Sequence, residues 1–196
     1  MNTLFRRGIG CLCILIAILL LPHAFTNTNS TTTPAPASAT PGAAPQPCAA
    51  PLHISSKEES IAQAVFQAIN QSRKDNSVSA LQWCNALGNS ARQHDQVMQQ
   101  ANNLSHQLPG EPDLGERERE QNITWSEAAE NIGYNSDMTL QGALQLHKLM
   151  MDEKPPDDGH RQNILDANLT IVGVDILLDK THGVLWLTED FATLCC

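Results

Sequence analysis

Ile61, Val65, Phe66 and Ile69 recur at the spacing that puts apolar side chains on one face of a helix. Glu58 and Glu59 stand just ahead of them, where acidic groups suit the positive end of the helix dipole. Arg73-Lys74-Asp75-Asn76-Ser77 ends that pattern with polar, turn-prone residues. A second helix is predicted from Leu87, Ala91, His94, Met98 and Ala101, and Asn102-Asn103 stops it just before Ser105-His106. From Gln107 to Trp125 there is little periodicity, with Pro109, Gly110, Pro112 and Gly115 as breakers.

Periodicity returns with the stripe Leu140, Leu144, His147 and Met151, for which Ser136 or Asp137 is the expected cap. That helix has to end near Lys154, because Pro155-Pro156 cannot continue it. A short helical turn is expected from His160 to Asp166. Two strands close the chain, Ile171 to Leu178 and Val184 to Phe191, with Asp179 to Gly183 as the hairpin connection. Helices first and a terminal hairpin predict a mixed α+β layered domain.

The N-terminal part has no such patterning. Arg6 and Arg7 precede an apolar run from Gly8 to Leu21, and Pro22-His23-Ala24 follows, the charged-then-apolar order of a secretory leader. The run is shorter than the ~20 apolar residues that span a bilayer, so residues 1–25 read as a signal peptide rather than an anchor. Residues 26–53 are almost wholly Thr, Pro, Ala, Ser and Asn up to Pro51 and read as an extended tether. Residues 54–196 have the size of one domain. The expected location is secreted or associated with the cell envelope.

Composition narrows the function classes. The 196-residue chain carries a formal net charge of −9, with no basic run after the leader, so nucleic acid is not an expected partner. The dense charge cluster from Glu111 to Glu120 reads as a solvated loop. Removal of the leader leaves Cys48, Cys84, Cys195 and Cys196, an even count that favours disulfides in an exported chain. Adjacent cysteines rarely bridge each other, so Cys195 and Cys196 are expected to reach back to Cys48 and Cys84 in an order left open. Nothing local activates a catalytic thiol.

Two histidines and a carboxylate stand in short polar motifs: Ser105-His106, Ala129-Glu130-Asn131-Ile132 and Gly159-His160-Arg161-Gln162-Asn163-Ile164-Leu165. Together with the helix carrying Leu81-Gln82-Trp83 and Leu87 to Met98, and the closing Leu185 to Phe191, these five motifs in order resemble the CAP superfamily. That superfamily comprises cysteine-rich secretory proteins, antigen 5 and plant pathogenesis-related proteins. The Gly-His-Arg-Gln-Asn-Ile-Leu form resembles the bacterial version. The resemblance covers about Ile61 to Phe191 and implies a three-layer α-β-α sandwich whose central cleft carries two histidines and two acidic residues.

His106, Glu130 and His160 map onto that cleft tetrad, and Glu153 is the best match for its fourth member, with Met150 where relatives carry Trp. Ala129 replaces the signature glycine, and Glu189 stands where relatives often carry Gln. Such a tetrad can hold Zn or another divalent metal ion, with His106 and His160 as the ligands. It can equally form a self-satisfied polar network in which the carboxylates accept from the imidazoles. Ser105, adjacent to His106, has the wrong placement for a nucleophile and its base. His94 and His147 read as partly buried core residues and His182 as exposed. No catalytic residue is assigned. The expected function is an exported binding module for a small apolar ligand or an extracellular partner, sterol or fatty-acid binding being known among relatives. A metal-dependent hydrolase acting on peptide or cell-envelope material is the alternative.

Overall fold

The computed structural model describes residues 6–8 and 47–195. The remainder of the leader, with Cys11 and Cys13, the tether before Pro47, and Cys196 lie outside the described residues. The element order is β1 (Arg6–Gly8), α1 (Ser56–Asp75), β2 (Gln82–Trp83), α2 (Asn85–Ala101), α3 (Leu114–Glu120), β3 (Trp125–Asn135), α4 (Leu140–Asp152), α5 (Gly159–Leu165), β4 (Ile171–Asp179) and β5 (Val184–Leu194).

The strands form one sheet in the order β1-β3-β5-β4-β2; the short β2 runs parallel to β4 and the other pairings are antiparallel. Helices α2 and α3 cover one face, and α1, α4 and α5 cover the other, so the domain is a three-layer α-β-α sandwich. The fit on the α2 face is close. A Cβ on Gly173 of β4 would fall inside contact distance of the backbone of Leu87 and Gly88, so helix and strand approach as closely as two main chains can. On the opposite face Gly133 of β3 lies against Leu146 and Met150 of α4. Apolar side chains fill both interlayer spaces. Ile61, Val65 and Ile69 of α1 pack with Val174, Ile176 and Leu187, whereas Leu87, Leu114, Trp125 and Ile171 pack on the α2 side.

The apolar periodicities of α1 and α2 and the terminal hairpin form as read, and Gly183 supplies the φ of +68° that the hairpin connection needs. The cap of α4 is Thr139 rather than Ser136 or Asp137. Ser55 caps α1 through a reciprocal box with Glu58, whose Oε1 also accepts from the backbone N–H of Leu178 and ties the helix start to β4.

Two expectations are corrected. Cys48 and Cys84 bridge each other, with Cα atoms 4.2 Å apart, instead of taking Cys195 and Cys196 as partners. The cause is the segment from Pro47 to His53, which folds back over the start of α2. There Asn85 donates to the Ala50 carbonyl, Asn89 donates to the Pro51 carbonyl, and Asn89 accepts from the His53 N–H. Secondly, the Glu111–Glu120 cluster is not a solvated loop. It builds α3, capped by Asp113, and buries Arg117 and Glu118. The Ala129-Glu130-Asn131-Ile132 motif, for which the periodicity predicted no element, lies within β3, an eleven-residue strand between β1 and β5. Among the described residues, no helix is long and apolar enough to cross a membrane.

Candidate functional site

Strand β3 points Glu130 toward the α2–α3 layer and Asn131 toward the α5 layer, because successive residues of a strand face opposite ways. Each is held by its own set of partners. On the first side, His106, in the loop after α2, donates from Nδ1 to Glu130 Oε1 at 2.8 Å. Arg117 of α3 donates to Glu130 Oε2. His94 of α2 stands behind this pair. Its Nδ1 donates to Glu111 Oε2 at 3.0 Å, and its Nε2 lies 3.8 Å from Glu130 Oε1. The other oxygen of Glu111 accepts from the Leu108 N–H at 2.5 Å, which fixes the loop that carries His106.

On the second side, Asn131 donates to Glu189 Oε2 at 2.9 Å and to the His160 carbonyl at 3.3 Å. Asn163 donates to Asn131 Oδ1 and to the Glu130 carbonyl. These bonds staple α5 onto β3 and so fix His160 relative to Glu130. His160 in turn donates from Nδ1 to Glu153 Oε1 at 2.5 Å, and from its backbone N–H to Glu153 Oε2. Glu153 is the C-cap of α4. The four candidate cleft residues are thus joined as two histidine–glutamate pairs, each glutamate accepting from its own imidazole.

The electrostatics follow from one guanidinium among several acids. Burial would lower the Arg117 pKa, but Glu130, Asp190, Glu111 and Glu118 around it raise it instead. Burial would raise Glu130, yet the hydrogen bond from His106 and the charges of His94 and Arg117 hold it below the usual carboxylate range. One cation cannot balance every neighbour. Burial, with the charge of Glu130 added, pushes Asp190 up to about 8. Burial and the charge of Asp190 raise Glu118 well above its ordinary value. Asp190 is therefore a neutral acid near pH 7, and it accepts from Ser90 at 2.7 Å. On the far side burial lifts Glu189 to about 7 against the opposing bond from Asn131.

Glu111, Arg117 and His94 are the site residues that sequence reasoning missed. His94, read as a partly buried core residue, is fully buried and belongs to this network. His147 is buried and hydrogen-bonded to Ser72 at 2.9 Å, and His182 is bonded to Asp179. The signal that could have found Glu111 was its place five residues after His106, in a loop broken by Pro and Gly.

The cleft offers a divalent metal few free donors. A carboxylate on Nδ1 of each imidazole is the usual backing of a metal-ligating histidine, so ligation would use Nε2 of His106 and His160. Glu130, however, gives one oxygen to His106 and the other to Arg117, and a second cation there meets the guanidinium charge. Among the described residues no three His, Cys, Asp or Glu side chains converge to hold a metal. The residues therefore fall short of the three protein ligands that a catalytic zinc keeps. Ser105 offers no nucleophile, since its hydroxyl donates to the Gln107 carbonyl.

The sequence profile described as the CAP, cysteine-rich secretory protein family matches residues 66–191. No curated protein sequence matches the chain. An extracellular SCP-domain protein from Bacillus anthracis superposes with a TM-score of 0.58 at 24% identity, over 69% of this chain and 41% of the other. This chain thus spans well under two thirds of that relative. An outer surface protein from Borrelia burgdorferi superposes with a TM-score of 0.58 at 14% identity, over 70% of this chain and 95% of the other. NaASP2, crystallised with Zn2+, gives a TM-score of 0.51 at 10% identity, over 69% and 81%.

Proposed function

The chain belongs to the cysteine-rich secretory protein (CAP) family, and from that premise we propose that it is an exported binding module that takes up a small apolar ligand or an apolar surface of an extracellular partner beside the His106–Glu130 pair. The observation that carries this reading is that the two cleft glutamates are committed to their own partners. Both oxygens of Glu130 are engaged, His160 is clamped twice by Glu153, and the Ser105 hydroxyl is turned to the Gln107 carbonyl. Glutamates held in this way brace the wall of the cleft, and neither stands free to serve as a base.

Two exposed apolar side chains stand on the segments that carry Glu130 and His106. Tyr134 shares a strand face with Glu130, four residues along β3, and is 56% exposed beside Trp186. Leu104, two residues before His106, is 38% exposed. Exposed apolar side chains beside a rigid polar cleft suit recognition of an apolar body with one polar end. The leader-like N-terminus and the extracellular or surface relatives support export. A metal-dependent hydrolase, with His106 and His160 holding zinc, is the second reading; the zinc in the NaASP2 crystal is its support.

Two measurements on the purified protein test the reading. The fluorescent fatty acid cis-parinaric acid should bind saturably, and a Leu104→Asp/Tyr134→Asp variant should lose that binding while keeping its circular dichroism spectrum. Elemental mass spectrometry after incubation with excess zinc chloride and desalting should find substoichiometric metal. One equivalent of zinc that His106→Ala/His160→Ala removes, with no fatty-acid binding, would replace the binding reading with the hydrolase.

A further inference from the structure

Asp95 of α2 and Asp175 of β4 are both fully buried and lie within hydrogen-bonding reach of each other. The sheet register brings them together. Asp175 stands opposite Thr188 across the β4–β5 pairing, and the Thr188 hydroxyl donates to Asp95 Oδ1 at 2.6 Å. Asp95 Oδ2 and both oxygens of Asp175 have no hydrogen-bond donor. Arg92 Nε lies 3.0 Å from Asp175 Oδ1 as an ion pair. The same guanidinium donates from Nη2 to the Ile176 carbonyl at 2.8 Å, and this nitrogen stands 3.3 Å from Glu58 Oε2.

Buried acceptors are rarely left unmade, and an ionised carboxylate can only accept. Two such groups side by side repel each other unless a proton lies between them. Arg92 does not remove the conflict, because Glu58 claims part of its charge. Burial would raise Glu58, yet the Leu178 N–H, Ser55 and Arg92 hold it below its ordinary value. From β5 the facing group is the hydroxyl of Thr188, which is neutral. We infer that Asp95 and Asp175 share one proton, and that this proton latches α2 to the β4–β5 hairpin until rising pH removes it.

The shared proton turns Asp95 Oδ2 from an orphan acceptor into a donor to Asp175. Its departure to solvent water leaves two like charges in the interior beside one divided cation. Burial and the charge of Asp175 raise Asp95 well above its ordinary value, and burial lifts Asp175 to about 6 against the charge of Arg92. The pair thus sheds its first proton near 6 and keeps the second above that pH. His94, the neighbour of Asp95 on α2, holds Glu111 and with it the loop of His106, so the latch also holds part of the frame of the cleft. None of this rests on the apolar-ligand reading, since neither aspartate belongs to that site.

The test follows the Asp side-chain carboxyl carbons of the purified, ¹³C-labelled protein by NMR from pH 4 to pH 9, with amide hydrogen exchange of α2 measured alongside. The carboxyl carbons of the pair should still report one bound proton at pH 7. Opening of the latch releases that proton, so protection of the α2 amides should fall about tenfold more between pH 6 and pH 7 in the parent than in Asp95→Asn. The side-chain amide of that variant donates to Asp175 and accepts from Thr188 at every pH, and it has no proton to lose. Slopes contributed by other buried acids are common to both proteins and cancel in the comparison. Carboxyl carbons that both report full ionisation by pH 5 would overturn the assignment, and so would equal loss of protection in parent and variant. The carboxyl titration needs only the parent, so it decides the matter even where the variant fails to fold.

Discussion

Replacing Glu189 with glutamine should change how the stability of the domain depends on pH. Glu189 sits fully buried on β5, where Asn131 donates to its Oε2 and its Oε1 has no partner. Burial raises its pKa from an ordinary value near 4.5 to about 7. Between those two values the folded protein holds the proton while the unfolded chain has lost it, so the folded state binds more protons and stability falls as pH rises. The stabilisation is fully present below about 4.5, and it is gone once the pH has passed about 7. At roughly 1.4 kcal/mol for each pH unit, the window is worth about 3 kcal/mol.

Glutamine cannot ionise, yet its amide oxygen can still accept from Asn131. The Glu189→Gln variant should therefore match the parent in urea unfolding at pH 4, read by tryptophan fluorescence, and exceed it by about 3 kcal/mol at pH 8. The difference between the two proteins isolates Glu189 from Asp190 and Glu118, whose raised pKa values give slopes of the same sign in both. Parallel pH profiles for parent and variant would refute the reasoning, because they would mean that Glu189 ionises in the folded state as easily as in the unfolded one.

Two further outcomes concern the frame that holds the site. The Cys48–Cys84 bridge closes a loop with a sequence separation of 36 residues, for which loop entropy gives about 4 kcal/mol; Cys48→Ala/Cys84→Ala should lower the urea-unfolding free energy by that order at fixed pH. Gly173→Ala should lower stability by about 3 kcal/mol, measured by thermal unfolding, because its Cβ meets the backbone of Leu87 and Gly88, which cannot move aside without shifting α2.

The sequence was legible wherever an element buries one apolar face against the sheet. Ile61, Val65 and Ile69 in α1 and Leu87, Ala91 and Met98 in α2 repeat at the helical period, and β4 and β5 open on apolar runs buried on both faces, so the pattern of side chains carries the structure. Strand β3 was not legible because the core accepts charge there. Glu130 and Asn131 occupy buried strand positions that period-two reasoning reserves for apolar residues, and what makes them tenable is Arg117, His106, Glu189 and Asn163, up to 58 positions away along the chain in the registry of β3 with β5. The same cause hid α3. Leu-Gly-Glu-Arg-Glu-Arg-Glu reads as a solvated run, since a buried guanidinium and a solvated one are identical in sequence and differ only in what surrounds them. His106, Glu130 and His160 were legible through short motifs, whereas Glu111 and His94 gain their place only from hydrogen bonds across the loop. The bridge between Cys48 and Cys84 escaped for a related reason: a Thr- and Pro-rich composition describes how a chain behaves in isolation, and it does not register the Asn85 and Asn89 amides that capture Ala50 and Pro51. In each case the missing term is a partner distant in sequence, which is why a fold with so many buried charges discloses its frame before its site.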